Sequence, residues 1–262
     1  MVITARTLSE GDHIFEGSLE STQKLIQDAG GVCEIIAGNV GDPDECATII
    51  DQVHGIFGPI YCLVNNAAVE WPMEAVELSP KRWQTTFNVC VHGPFYLSQI
   101  CLRDDMGPAK SGRIINISSS AAIGPGFVGL GPAHEDETCY GACKAAVERM
   151  TQGLAAEVSA DKYEGGIAVS CYAPSEVVYT PGVVHNNRGS GQDDGEPVET
   201  MARAALLLAT EPVARVNGAV TYSQRVLRDF GWEVKHTGAE LGGAGISDRP
   251  ITGYAERSIA KM

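Results

Sequence analysis

The chain has 262 residues, enough for one α/β domain with a real hydrophobic core. Its formal net charge of −14 repels nucleic-acid phosphates and anionic membrane surfaces, so neither is expected as a partner. Hydrophobic residues make up 44% and charged residues 20%, ordinary for a globular protein, and no run approaches the ~18 apolar residues of a membrane span. The N-terminus lacks a basic start followed by a long apolar run. The 8 cysteines are scattered and form no C-x-x-C, so reduced, buried thiols in a cytoplasmic protein are expected. Cys139 and Cys143 share a helical face, but no nearby His/Cys set completes a metal site, and none is expected.

Along the chain, apolar runs alternate with amphipathic stretches. Residues 1–5 (MVITA) are a short β-rich run, and residues 18–29 (SLESTQKLIQDA) predict a helix stopped by Gly30 and Gly31. Residues 32–37 (VCEIIA) predict a strand. Asp42 and Pro43 open a helix to Phe57, with an acidic cap and a proline in the first turn. Residues 61–64 (YCLV) predict a strand and residues 80–103 a long helix. A strand over 112–117 (GRIINI), a helix over 140–158 and a strand over 167–172 (IAVSCY) follow. A helix over 197–209 and a strand over 218–222 complete the pattern. Strands separated by helices predict parallel pairing in a doubly wound α/β sheet with right-handed crossovers. One domain is expected over residues 1–232, with a polar loop at 186–195 and a glycine-rich tail at 233–262.

The strongest chemical signal is Tyr140-Gly-Ala-Cys-Lys144. A spacing of four puts phenol and ammonium on one helix face. An ordinary tyrosine has a pKa of ~10, and a fixed positive charge beside it favours the phenolate. A tyrosine brought near neutrality exchanges a proton with an alcohol oxygen. Upstream, GRIINISSS places Ser119 just past a buried strand, where ligands of parallel sheets sit. Further upstream, LVNNAA is a strand ending in two amides, Asn65 and Asn66.

Together these pieces resemble the short-chain dehydrogenase/reductase family over residues 2 to about 224. LVNNAA resembles the family's N-N-A-G, GRIINISS its serine strand and YGACK its Y-x-x-x-K. APSEVVYTPG, residues 173–182, resembles the segment that covers the nicotinamide. The resemblance implies a Rossmann-like fold and hydride transfer between NAD(P)H and a carbonyl or alcohol. It implies Tyr140 as general acid/base, Ser119 orienting the substrate carbonyl, and Lys144 holding ribose hydroxyls and lowering the phenol pKa. Asn65 and Ala67 would line the adenosine side, Asn39 and Val40 would lie near the adenine, and Thr180 would reach the carboxamide. Arg6 follows the opening run, which resembles the family's second strand, where a basic residue suits the 2′-phosphate of NADP, so NADP is favoured over NAD. The family's dimers and tetramers imply a homo-oligomer built on the helices over 80–103 and 140–158.

The sequence also departs from the family. Residues 2–7 (VITART) resemble the family's second strand, and no T-G-x-x-x-G-x-G loop precedes them. The expectation is a family domain lacking its first βα unit, with weak NAD(P)H binding and disordered Asn65 and Ser119. The alternative function is an inactive remnant serving as a subunit partner. Cys90 stands where the family has a catalytic asparagine, and Asn88 falls on another helix face. Ala68 and Ser175 replace family glycines. The segment between Ser119 and Tyr140 is long, consistent with a loop at the substrate mouth.

Overall fold

The computed structural model describes residues 1–123, 136–186 and 195–232. β1 (Val2–Ala5) is followed by helix α1 (Leu19–Asp28) and then β2 (Glu34–Ala37), which pairs with β1 in parallel. Ser18 caps α1: its hydroxyl accepts from the Ser21 N–H at 3.1 Å, and its own N–H donates to Ser21 Oγ at 3.0 Å. Gly30 leaves the helix at φ +83°, a conformation glycine adopts without strain. α2 (Pro43–Phe57) begins as its sequence predicts, with Asp42 Oδ1 accepting from Asp44 N–H and Glu45 N–H.

The expected loss of the first βα unit is overturned here. The chain opens on one, β1 and α1, joined by residues 6–18. The run VITA is a strand because every one of its residues has a partner in β2, from Val2 opposite Glu34 to Ala5 opposite Ala37. The connection carries Gly11 and Gly17 at φ +93° and +102° rather than a T-G-x-x-x-G-x-G run.

The remaining strands form a second parallel sheet in the order β3 (Cys62–Asn65), β4 (Gly112–Ile117), β5 (Ile167–Ala173), β6 (Val220–Tyr222). The expected single sheet is thus two, and among the described residues no strand joins β1 to β3. A shared core holds them: Val2 of β1 and Leu63 of β3 pack on one cluster containing Ile36, Ile49, Leu97 and Ile114.

The helix predicted over 80–103 is a relay of shorter pieces. α3 (Pro80–Phe87) runs through a π-helical turn (Asn88–His92) into α4 (Gly93–Ile100). A second π-helical turn (Cys101–Met106) leads to α5 (Gly107–Ala109). α4 crosses the end of β2 so closely that a Cβ on Gly93 would lie 2.4 Å from the Val40 carbonyl oxygen.

α6 (Thr138–Val158) packs against β5, and α7 (Pro181–His185) follows that strand. α8 (Val198–Thr210), α9 (Val213–Val216) and α10 (Ser223–Asp229) complete the described fold. β4 shows the two-residue period of a strand covered on both faces. Ile114 enters the cluster with Leu97, Leu154 and Val158, while Ile115 enters another with Leu207, Leu208 and Leu227. Burial of each such side chain contributes roughly 1.5–3 kcal/mol.

Candidate active site

The residues singled out in the sequence lie where parallel strands end. Arg6 follows β1, Asn39 and Val40 follow β2, Asn65 ends β3, Ser119 follows β4 and Thr180 follows β5. Ligands of open α/β sheets bind at this carboxyl edge.

Ser118 and Ser119 have different commitments. Ser118 is buried and donates its hydroxyl to Glu148 Oε1 at 2.7 Å. Ser119 is half-buried, and its oxygen accepts from the Ala121 N–H at 3.2 Å, leaving its proton for another acceptor. The short helix after it, Ser120–Ile123, packs tightly on α6. At the contact is Gly141, where a Cβ would lie 2.7 Å from the Ala121 carbonyl oxygen. The glycine beside Tyr140 thereby brings the tyrosine's helical turn against the serine turn.

Lys144 is 3% exposed, and its ammonium donates to the Ile117 carbonyl at 2.7 Å. Nζ lies 5.3 Å from the centre of the Tyr140 ring. Burial pushes the Lys144 pKa down, while neighbouring Cys90, Cys171, Cys143 and Glu70 pull it back up. The half-buried Tyr140 departs from expectation. Burial pushes its phenol up, and Cys90, Glu70 and Glu137 add to the rise. Desolvation is the largest cause and the others act in the same direction, so the lowering expected from Lys144, whose ammonium is turned toward Ile117, is overturned and the protein holds a neutral phenol.

Beneath these groups runs a buried polar chain. Asn65 Nδ2 donates to Asn116 Oδ1 at 2.9 Å and to Ser98 Oγ at 3.3 Å, and Asn116 Nδ2 donates to Thr151 Oγ1 at 2.9 Å. This fixes Asn65, against the disorder expected of it, and the Ala121 contact does the same for Ser119. Cys90 is tied to Val69: its sulfur accepts from that N–H at 3.5 Å and donates to that carbonyl at 3.6 Å. Asn88 is occupied elsewhere, its Oδ1 accepting from Gln84 Nε2 at 2.7 Å and lying 3.1 Å from His92 Nδ1.

Among the expected cofactor contacts, Arg6 and Ala67 are exposed and Val40 is buried. Asn39 is held by its turn, its N–H donating to Glu45 Oε2 and its Oδ1 accepting from Gly41 N–H. Thr180 caps α7 by accepting from Val183 N–H at 3.3 Å. The long loop expected at the substrate mouth falls on residues 124–135, outside the described residues, as do most of the loop expected at 186–195 and the tail.

Glu148 and Glu196, both buried carboxyls, went unnoticed in the sequence. Glu148 stands four residues after Lys144, so helical spacing alone offered a signal. Glu196 offered none, because its partners lie 21 to 28 residues away along the chain.

Comparison with known proteins places the chain in a family. The short chain dehydrogenase model matches residues 7–190. The chain is 32% identical over 194 residues to the (2S)-[(R)-hydroxy(phenyl)methyl]succinyl-CoA dehydrogenase subunit BbsD of Thauera aromatica, covering 70% of this chain and 71% of that one. A gluconate 5-dehydrogenase from Burkholderia cenocepacia, solved with NADP and tartrate, superposes with a TM-score of 0.66 at 23% identity, covering 84% of this chain and 82% of that one. A blue fluorescent protein from a metagenomic library, solved with NADPH, gives 0.65 at 24% identity and covers 84% of each chain. The chain belongs to the short-chain dehydrogenase family and has the fold of its NAD(P)-dependent oxidoreductases. Among the described residues no helix is long and apolar enough to cross a membrane.

Proposed function

We propose that the protein interconverts a secondary alcohol and a ketone with NADP in preference to NAD, using Tyr140 as the general acid/base. One observation carries this reading: the ammonium of Lys144 is buried beneath Tyr140, at the carboxyl edge of the sheet and beside the Ser119 turn.

The donors suit a dinucleotide. An ammonium has three N–H groups, and the bond to Ile117 uses one, so a pair of ribose hydroxyls is a fitting partner for the others. The Thr180 oxygen accepts from the α7 backbone, and its proton suits a carboxamide oxygen. Arg6, exposed after β1, suits the charge of a 2′-phosphate. When bound, the cofactor supplies or accepts the hydride.

The protein's own residues handle the oxygen. Ser119 donates a hydrogen bond to the carbonyl and sets its orientation. Tyr140, held neutral by burial, gives its proton to that oxygen as it becomes an alcohol. Lys144 supports the phenolate left behind, and its attraction strengthens as that charge forms. A homo-oligomer is proposed on the family's pattern, through α3, α4 and α6.

The test is titration of the purified chain with NADPH and NADH, followed by turnover on a panel of secondary alcohols and ketones. Tyr140→Phe is expected to lower turnover by about 10²–10⁴-fold while leaving the NADPH dissociation constant nearly unchanged. Parent-like turnover by that variant overturns the assignment. Cofactor binding without turnover across the panel supports the rival reading of an inactive subunit partner.

A further inference from the structure

Behind the cofactor-covering segment lies a buried carboxyl with an unusual number of donors. Glu196, 3% exposed, precedes α8. Oε1 accepts from the Ser175 N–H at 3.2 Å, and Oε2 accepts from Gln224 Nε2 at 3.0 Å. Ser223 Oγ lies 2.8 Å from both carboxyl oxygens. Ser175 is itself tied to the start of α10, its N–H donating to Ser223 Oγ and its Oγ accepting from Gln224 N–H. The Glu196 N–H donates to the Val177 carbonyl at 2.9 Å. At Gly195 the backbone runs so near that a Cβ would lie 2.5 Å from both the Val177 carbonyl oxygen and the Tyr179 ring.

These bonds join three places: the turn leaving β5, the approach to α8 and the start of α10. Thr180 stands five residues after Ser175 on the segment so clamped. We propose that Glu196 is a positioning residue for cofactor binding, which clamps residues 175–177 to the start of α10 and so sets where Thr180 stands. This rests on the reading of Thr180 as a carboxamide contact.

The clamp is also sensitive to pH near neutrality. Burial pushes the Glu196 carboxyl up to about 7, with Ser223, Gln224 and the Ser175 N–H drawing it back and Glu176 adding to the rise. Tyr172 faces it from β5, its hydroxyl committed to the Met201 carbonyl at 2.8 Å. The Ser223 proton has two destinations, the carboxylate or Ser175 Oγ at 3.2 Å. Ionised Glu196 takes charge-assisted bonds from Ser175 and Gln224, which are stronger than neutral ones. Protonated Glu196 donates to Ser223 Oγ, which then turns to Ser175. Because burial raises the carboxyl in spite of these bonds, the closed clamp binds more protons than an opened one, and it is tighter below pH 7 than above it.

The experiment compares the full chain with E196Q and E196A by NADPH fluorescence titration at pH 6 and pH 8. The ratio of the E196Q dissociation constant to the parent's is expected to fall about threefold from pH 6 to pH 8. E196A is expected to bind about tenfold more weakly than the parent at pH 6 and about threefold more weakly at pH 8, and Thr180→Val should cost affinity in the parent but little in E196A. Parent-like NADPH affinity in E196A, with only a lower melting temperature, overturns the proposal, as does a ratio that does not change with pH. Failure of the parent to bind NADPH sinks the cofactor reading instead. The clamp is then judged by hydrogen exchange at the Ser175 amide, protected in the parent and fast in E196A, with equal exchange overturning it.

Discussion

Ser118 donates its hydroxyl to Glu148 at 2.7 Å, and this bond separates the roles of two adjacent serines. Glu148 is buried, and its Oε2 has no hydrogen-bond partner among the described residues. Ser118→Ala removes the donor to the other oxygen, and leaving a buried acceptor unmade costs about 1–3 kcal/mol. Thermal unfolding should show that loss while NADPH affinity stays near the parent's. Ser119→Ala should do the reverse, lowering turnover with little change in melting temperature. The opposite division would reverse the two roles.

The same carboxyl has a signature in pH. Burial pushes the Glu148 pKa up, while Ser118 and Lys144 pull it down. A carboxyl whose folded value is raised binds more protons folded than unfolded. Its contribution is fully present below the unfolded value of ~4.3 and is lost as pH rises through the folded value. Glu148→Gln should therefore lose less stability than the parent between pH 4 and pH 8 in urea unfolding. An unchanged slope with pH would contradict this.

Gly141 tests how closely α6 must approach the serine turn. Its added Cβ would meet the Ala121 carbonyl at 2.7 Å, a backbone atom that cannot swing aside. Gly141→Ala should cost about 1–3 kcal/mol, as overpacking does elsewhere. It should also lower turnover through the displaced Tyr140. Calorimetry and a steady-state assay together check this; a variant with parent stability would show that the contact is loose.

The Asn65–Asn116–Thr151 chain should behave as one unit. Asn116→Ala takes one bond each from the Asn65 amide, which keeps Ser98, and the Thr151 hydroxyl, which keeps the Val147 carbonyl, at about 0.5–1.5 kcal/mol for each bond lost. Asn65→Ala in that background should then cost much less than it does alone, because the partners interact directly. Additive losses in urea unfolding would show two independent bonds.

Arg6 bears on coenzyme choice. It is exposed after β1, so its replacement should leave stability within about 0.5 kcal/mol of the parent. Arg6→Glu should weaken NADPH by about tenfold or more and spare NADH, since only the former carries the 2′-phosphate. Equal losses for both would remove Arg6 from the site.

Much of this site was legible before any coordinates. Tyr140 and Lys144 sit four apart, and a helix must place them on one face whatever surrounds it. The serine strand, the paired amides of LVNNAA and the cap at Asp42 are likewise local patterns, with causes lying within a few residues. These carried the parallel α/β class, the position of nearly every element and the family. What the sequence misjudged or left open depends on groups distant along the chain. Whether VITA belongs to an opening βα unit depended on its pairing with residues 34–37. The direction of the Tyr140 shift, opposite to the one expected, depended chiefly on burial, and burial is a property of the packed molecule. The division between Ser118 and Ser119 depended on a carboxylate 30 residues away, and the Glu196 clamp joins segments as much as 49 residues apart. Local periodicity is set by backbone geometry and survives in the bare sequence; desolvation and long-range hydrogen bonds exist only once the chain has closed on itself.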